Sequence, residues 1–213
     1  MALPRILLIG ATGLTGQHIL RRAESQGLRV RALVRRPSKL PSELIAAHEV
    51  KRGDVLDLAA LTDAMTGVDV VISVLGTHLT VKPVSLLSVG TTNLIQAMQT
   101  SGVKRLLCVT GMGAGDSRGH GGFVYDHLIL PTLLRSIYAD KDRQEQIVAR
   151  SDLDWVLVRP ARLVNRTAPQ RYREITQFND EQMHTISRID VADFLVNESL
   201  FPRYHQQTVN LTT

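Results

Sequence analysis

The chain has 213 residues, of which 44% are hydrophobic and 21% charged, as in an ordinary globular domain, and its formal net charge is +5. Aromatic residues make up only 4% and the basic residues are scattered, which argues against a nucleic-acid surface. The sequence shows neither a run of 18 apolar residues nor an export leader, so we expect no membrane contact. A lone cysteine, Cys108, cannot form an internal disulfide, and we expect a cytoplasmic location.

The first predicted strand, residues 6–9, runs into glycines at every third position, Gly10, Gly13 and Gly16. The first glycine permits a tight turn, the second lets bare backbone approach a pyrophosphate, and the third lets the following helix pack close to the sheet. Periodic apolar residues predict that helix over residues 14–26, with its positive N-terminal end towards the phosphates. The pattern predicts a dinucleotide site that includes Gly10, Thr12, Gly13, Leu14 and Thr15.

The second strand is predicted at residues 29–34. An NAD-selective site places an acid at the end of this strand, about 20 residues past the glycines, where it binds the ribose hydroxyls. This chain has Arg35 and Arg36 there instead, with Lys39 close behind. Guanidinium groups bind phosphate through paired hydrogen bonds, so the sequence favours NADP(H), with its 2′-phosphate, over NAD. The alternative is that the two arginines form an ordinary solvated surface pair.

Further strands are predicted at residues 49–52, 68–75, 104–110, 155–159 and 208–211, and helices at residues 57–65, 84–101 and 188–200. This alternation indicates parallel strands joined by right-handed crossovers. The continuous apolar run at residues 68–75 is typical of a strand that is covered on both faces. We therefore predict an α/β fold in which one Rossmann-like domain, residues 1–213, holds a doubly wound parallel sheet with helices on both faces.

Two stretches interrupt the alternation. Residues 111–122 are rich in glycine and follow the fifth strand, and residues 164–185 form a polar insertion with weak periodicity. Both lie beyond the carboxyl ends of strands, the edge at which open α/β sheets bind ligands. We expect them to form the walls of a pocket for a small-molecule substrate, with a simple surface loop as the alternative for each.

Several short motifs accompany the glycine turn. They are Arg35, Gly53-Asp54-Val55, Leu75-Gly76-Thr77, Gly115-Asp116-Ser117-Arg118, Ser151-Asp152-Leu153-Asp154-Trp155 and Arg159-Pro160. With these motifs the chain resembles, over essentially its whole length, the atypical short-chain dehydrogenase/reductases of the NmrA-like and flavin reductase (biliverdin reductase B) type. The resemblance implies a nicotinamide cofactor bound across the carboxyl edge of the sheet.

The resemblance also implies which residues meet the two ends of the cofactor. Asp54 and Val55 would flank the adenine, although an aspartate at this position can equally cap the helix that follows. Leu75, Gly76 and Thr77 would line the path to the nicotinamide, and residues 160–163, from Pro160 to Leu163, would close over its far side.

Relatives that reduce carbonyls typically use a tyrosine as acid, with a lysine four residues later. Here Tyr138 and Lys141 are three residues apart, and Ile137 holds the position four before the lysine. The pair still shares a helix face, so both are candidate catalytic residues, as is Thr110 at the end of the fifth strand; a structural role is the alternative for each. Lys141 can also reach the nicotinamide ribose. A flavin-like or quinone-like acceptor can take its proton from water, so the imperfect pair favours such acceptors.

The sequence thus predicts an NADPH-dependent oxidoreductase that transfers hydride to a small conjugated acceptor. One alternative is a non-catalytic NADP(H)-sensing regulator with a protein partner, and another is an isomerase or reductase of one specialised metabolite. The histidines lack the spacing of a metal site, and we expect no metal.

Overall fold

The computed structural model of the protein describes residues 3–166, 171–179 and 181–213. The α-helices are α1 (Leu14–Ser25), α2 (Ser42–Ala47), α3 (Leu58–Ala64), α4 (Leu86–Ser101), α5 (Arg135–Ala149) and α6 (Arg188–Leu200). The strands are β1 (Ile6–Ile9), β2 (Arg31–Val34), β3 (Glu49–Arg52), β4 (Val70–Ser73), β5 (Arg105–Val109), β6 (Asp154–Pro160), β7 (Arg162–Val164), β8 (Arg173–Ile175), β9 (Thr185–Ser187) and β10 (Gln207–Thr212). No helix in these ranges has both the length and the apolar character needed to span a bilayer.

A central sheet carries most of the strands, in the order β3-β2-β1-β4-β5-β6-β10-β8. All neighbours pair in parallel except β8, which runs antiparallel to β10 at the outer edge. The strand order reverses next to β1, with β2 on one side and β4 on the other. Such a switch point opens a crevice at the carboxyl edge of the sheet, where ligands of this fold class bind.

Helices cover both faces of the sheet, as the alternating side chains of β1 demonstrate. Ile6 and Leu8 belong to a core that includes side chains of α1 and α6. Leu7 and Ile9 point the other way, into a core shared with α3, α4 and α5. All four side chains are at most 2% exposed, as expected for a parallel strand between two helical layers. The predicted doubly wound fold is confirmed.

The predicted elements are present, with shifts at their ends. The largest shift is in the apolar stretch 68–75, of which only Val70–Ser73 forms β4. Val68 is buried in the turn after α3, where its N–H donates to the carbonyl of Met65, so an apolar side chain there does not signal a strand. The sequence pattern does not predict α2 or the short strands β7, β8 and β9.

The glycine-rich stretch and the polar insertion contact each other. His120 stacks on Phe178 with ring centroids 3.8 Å apart, and its Nδ1 lies 2.8 Å from the carbonyl oxygen of Glu181. The N–H of Met183 donates to the carbonyl of His120 over 2.8 Å. The two stretches that the sequence predicts as pocket walls therefore form one continuous structure beyond β5 and β6.

Candidate functional site

The turn between β1 and α1 has room only for glycine at two of its positions. Gly10 has a φ of +89°, and a Cβ atom on it would lie 2.6 Å from the carbonyl oxygen of Val74. A Cβ atom on Gly16 would lie 2.4 Å from the carbonyl oxygen of Gly10. The N–H of Gly13 donates to that same carbonyl over 3.0 Å and closes the turn. The geometry is that of a backbone cradle for a diphosphate.

The N-terminus of α1 opens onto this turn. Gly13 is the N-cap residue, and no side chain within the described ranges caps the helix there. Gly13 and Leu14 are exposed, while Thr12 and Thr15 are partly buried beside them. An uncapped helix end presents backbone N–H groups and the positive end of the helix dipole, so the residues present fit a bound phosphate group.

Three cations follow β2. Arg35, Arg36 and Lys39 are all exposed, and none of them forms an ion pair with any residue that the structure describes. By contrast, Arg31, the first residue of β2, pairs with Glu49 over 2.8 Å. The cations at the end of β2 are therefore available to an anion from outside the chain.

Asp54 and Val55 follow β3 in a turn. One carboxylate oxygen of Asp54 accepts from the N–H of Leu56 over 3.0 Å, whereas the cap of α3 is Asp57, which accepts from Ala60 over 3.1 Å. The alternative that Asp54 caps the helix is therefore wrong, because the helix begins one turn later. Val55 is buried, and its carbonyl accepts from the side chain of Asn93 on α4 over 3.3 Å.

Leu75, Gly76 and Thr77 form the loop after β4. Leu75 is partly buried, whereas Gly76 and Thr77 are exposed. Val74, just before this loop, touches Gly10 of the glycine turn. The loop therefore borders the cradle at the switch point of the sheet.

A cavity of about 170 Å³ lies at the carboxyl ends of β5 and β6. Its lining residues are Thr110, Gly111, Met112, Tyr125, Tyr138, Lys141, Pro160, Ala161, Arg162 and Leu163. The structure thus brings together five residues that the sequence singles out, namely Thr110, Tyr138, Lys141, Pro160 and Leu163. Met112 belongs to the glycine-rich stretch that the sequence predicts as a pocket wall, and Arg162 to residues 160–163, which the resemblance implies over the nicotinamide. Sequence reasoning missed Tyr125, and none of the described residues of the polar insertion 164–185 lines the cavity. We refer to this cavity as the acceptor pocket.

Gly111 has no side chain, and this leaves room for Lys141 and Tyr138 to lie close to the backbone of the pocket. It has a φ of +150°, and a Cβ atom on it would lie 2.8 Å from Lys141 Nζ and 3.3 Å from the Tyr138 hydroxyl. The ammonium of Lys141 donates to the carbonyl of Thr110 and lies 4.9 Å from the centroid of the Tyr138 ring. The lysine therefore contacts the face of the tyrosine ring and the end of β5.

The Tyr138 hydroxyl is not prepared to release a proton near neutrality. It lies 2.9 Å from the hydroxyl of Tyr125, whose hydrogen is donated to the carbonyl of Met112 over 3.0 Å. Burial raises the pKa of Tyr138, and the neighbouring Tyr125 and Glu145 raise it further. Burial lowers the pKa of Lys141 to about 8, against the opposing effect of the Glu145 charge.

A buried charged network lies beneath the pocket and centres on Glu145 of α5. Its carboxylate accepts from Thr110 Oγ1 over 2.6 Å and from Arg159 Nε and Nη2 over 2.9 and 2.8 Å. Arg159 also pairs with Asp116. The hydroxyl hydrogen of Thr110 is thereby committed to Glu145. Sequence reasoning assigned Glu145 no role; its signal was an acid four residues after Lys141, on the same helix face.

No group of three or more histidine, cysteine, aspartate or glutamate side chains is placed to hold a metal ion in the part of the chain that the structure describes.

Comparison with known proteins agrees with this geometry. The chain matches the NAD(P)H-binding family over residues 10–199. The chain belongs to this family. A protein of Mycobacterium tuberculosis H37Rv with uncharacterized function is 30% identical over 170 residues, which are 76% of this chain and 15% of that protein. The chain thus spans about 15% of the length of this relative.

Solved structures share the fold of the NAD(P)H-binding protein. The anaerobilin reductase ChuY from Escherichia coli O157:H7 superposes with a TM-score of 0.81, at 23% identity, over 98% of this chain and 96% of that one. A short-chain dehydrogenase/reductase from Veillonella parvula in complex with NADP gives a TM-score of 0.83, at 18% identity, over 100% and 95% of the two chains. The predicted family resemblance is confirmed, and the chain has the fold of NAD(P)H-binding oxidoreductases.

Proposed function

We propose that this protein is an NADPH-dependent reductase that transfers hydride to a small, flat, conjugated acceptor, flavin-like or quinone-like, in the acceptor pocket. The observation that carries the proposal is the combination of a nucleotide cradle with a nearby pocket whose tyrosine hydroxyl is not activated as an acid. An acceptor that takes its proton from water fits such a pocket.

The cofactor would lie across the carboxyl edge of the sheet. Gly10, Thr12, Gly13, Leu14 and Thr15 would hold the diphosphate through backbone N–H groups, and Arg35, Arg36 and Lys39 would hold the 2′-phosphate. The remaining contacts would come from Asp54 and Val55 at the adenine and from Leu75, Gly76, Thr77, Pro160 and Leu163 towards the nicotinamide. When bound, the reduced cofactor supplies a hydride.

The pocket residues would orient the acceptor and exclude water from its face. Met112, Pro160, Ala161 and Leu163 offer apolar surface to a flat ring. Thr110 can only accept a hydrogen bond from a ligand, because its own hydrogen is donated to Glu145. The acceptor gains one hydride from the nicotinamide and one proton from water, so a side-chain acid is not required. The protein would accelerate the reaction by holding the nicotinamide and the acceptor in the right orientation.

Rapid mixing of the protein and NADPH with a panel of flavins and quinones tests the proposal. We expect loss of the NADPH absorbance that depends on both acceptor and protein. Absence of such loss across the whole panel would contradict the proposal.

Cofactor choice is tested by titrating NADPH and NADH against wild type, Arg35→Ala and Arg36→Ala. Loss of the phosphate contact should raise the dissociation constant of NADPH about tenfold, near 1.4 kcal/mol, and leave that of NADH unchanged. Arg21→Ala is the matched control, because Arg21 is a surface arginine that pairs with Glu43. Equal binding of both cofactors by wild type would remove the assignment of NADP(H).

A second candidate function, a non-catalytic NADP(H)-sensing regulator, is favoured by exposed apolar side chains beside the pocket. Phe123, Val124, Leu128 and Leu133 are 78, 60, 61 and 45% exposed and surround Tyr125 in sequence. Exposed apolar side chains of this kind occur at protein interfaces. Affinity capture with and without NADPH separates the two functions, since a regulator requires a cofactor-dependent partner and shows no turnover.

A further inference from the structure

Arg162 gives the acceptor pocket a cation of its own. It lies on β7, lines the pocket and is exposed. It forms no ion pair with the residues in the described ranges, unlike Arg159 three positions earlier, which pairs with both Glu145 and Asp116. One guanidinium thus stabilises the base of the pocket, whereas the other is available at its wall.

The chain around Arg162 is strongly basic. Residues 162–173 contain four arginines and neither aspartate nor glutamate. Arg166, Arg171 and Arg173 are exposed. The next residue, Glu174, pairs with Arg203 over 2.8 Å. None of these four arginines forms an ion pair with the residues that the structure describes, so their positive charge faces solvent.

We infer that Arg162 selects conjugated acceptors that carry an anionic substituent, a carboxylate or a phosphate, and that the exposed side chains of Arg166, Arg171 and Arg173 add positive charge that attracts such acceptors. This inference rests on the proposed reductase function. A guanidinium binds either anion through paired hydrogen bonds, while the apolar wall of the pocket packs against the ring. Clustered charge at the mouth of a site raises the association rate of an oppositely charged ligand.

Matched acceptors test the role of Arg162. Riboflavin and flavin mononucleotide differ by one phosphate, and 1,4-naphthoquinone and its 2-carboxylate differ by one carboxylate. For Arg162→Met we expect kcat/KM to fall about tenfold or more for the charged member of one or both pairs, through KM, and to stay within about twofold for the neutral members. The pair with the larger fall identifies the anion. The control variant is Arg150→Met, at the exposed end of α5 and outside the pocket lining. It should leave kcat/KM unchanged for all four acceptors.

Equal effects of Arg162→Met on charged and neutral acceptors would overturn the inference while leaving the reductase function intact. If wild type reduces no acceptor, the reductase function fails, and equilibrium binding of flavin mononucleotide and riboflavin in the presence of NADP⁺ tests Arg162 separately. Wild type should then bind the phosphorylated flavin about tenfold more tightly, and Arg162→Met should lose that preference. Equal dissociation constants in wild type would overturn the inference.

The steering part is tested by ionic strength. Raising salt from about 0.05 to about 0.5 M should lower kcat/KM for flavin mononucleotide several-fold and leave riboflavin unaffected. Combined replacement of Arg166, Arg171 and Arg173 by alanine should flatten that dependence. An equal salt dependence for the two flavins would show that the segment does not attract the anion.

Discussion

The turn between β1 and α1 owes its shape to glycines, which have no side chain. The ends of β5 and β6 are held in place by buried charged side chains. Gly10 and Gly16 leave no space for a Cβ atom, so the turn is bare backbone at these two positions. Glu145 and Arg159 are 6 and 5% exposed and hold the end of β5 against α5 and β6. Backbone atoms thus form one end of the site, and side chains form the other.

Under the proposed function, the difference follows from what each end would bind. A diphosphate has the same shape in every dinucleotide, so a fixed cradle of N–H groups is sufficient. An acceptor is recognised by the shape and polarity of the pocket wall, and side chains supply both. Substitutions at the first end should therefore act through steric clash, and those at the second through unpaired charge.

Removing the charge of Glu145 should be the most costly change. Glu145→Gln leaves the buried Arg159 with only the largely exposed Asp116 as a partner, and breaking a buried pair in this way costs about 3–5 kcal/mol. Chemical denaturation measures the loss. The matched control is Glu43→Gln, which breaks the exposed pair with Arg21 and should cost about 1 kcal/mol or less. Equal losses in the two variants would mean that the network does not stabilise the acceptor end.

Gly16→Ala should destabilise the protein by about 1–3 kcal/mol and weaken dinucleotide binding, because its Cβ atom meets backbone that cannot rotate away. Gly76→Ala is the control for the fold, since a Cβ atom there meets nothing within 4 Å. Thermal unfolding and nucleotide titration measure the two effects. A Gly16→Ala variant with unchanged melting temperature and affinity would contradict the steric basis of the cradle.

Lys141 should make stability depend on pH. Its pKa is about 8 in the folded protein and about 10.5 when unperturbed, so between these values the unfolded chain binds more protons and stability rises with pH. The cost of burying the ammonium is complete below pH 8 and disappears towards pH 10.5. Lys141→Met lacks this cost.

Denaturation of wild type and Lys141→Met at a series of pH values from about 7 to about 10 isolates the lysine, because the buried tyrosines titrate in both proteins. As the pH rises, the free energy of unfolding of wild type should increase relative to that of Lys141→Met. A constant difference between the two proteins would show that the lysine is not desolvated.

Tyr138→Phe should have the smallest effect. It removes one hydrogen bond to Tyr125, whose hydroxyl still donates to Met112, and should cost about 0.5–1.5 kcal/mol of stability. Turnover of a quinone or flavin should stay within about twofold of wild type. A fall of about 10²-fold or more would instead identify Tyr138 as the catalytic acid.

Much of the nucleotide end could be predicted from the sequence because it is local. The strand, the three glycines and the helix are consecutive, and Arg35 follows the next strand directly. The acceptor end could be predicted only in part. Thr110, Tyr138 and Lys141 were singled out as candidates, but the sequence did not predict that Lys141 donates to the backbone of Thr110. The spacing of residues along a helix predicts which side chains share a face. It does not predict which groups they bond to.

The sequence by itself determined the layer arrangement, the glycine turn and the cations after β2, because periodicity and glycine positions act within one or two neighbouring elements. Only the tertiary structure decided that Glu145 joins Thr110 to Arg159 and that Tyr125 meets Tyr138. These contacts join segments that are distant along the chain. Burial, which alters the pKa of Tyr138 and Lys141, arises only when those segments pack together.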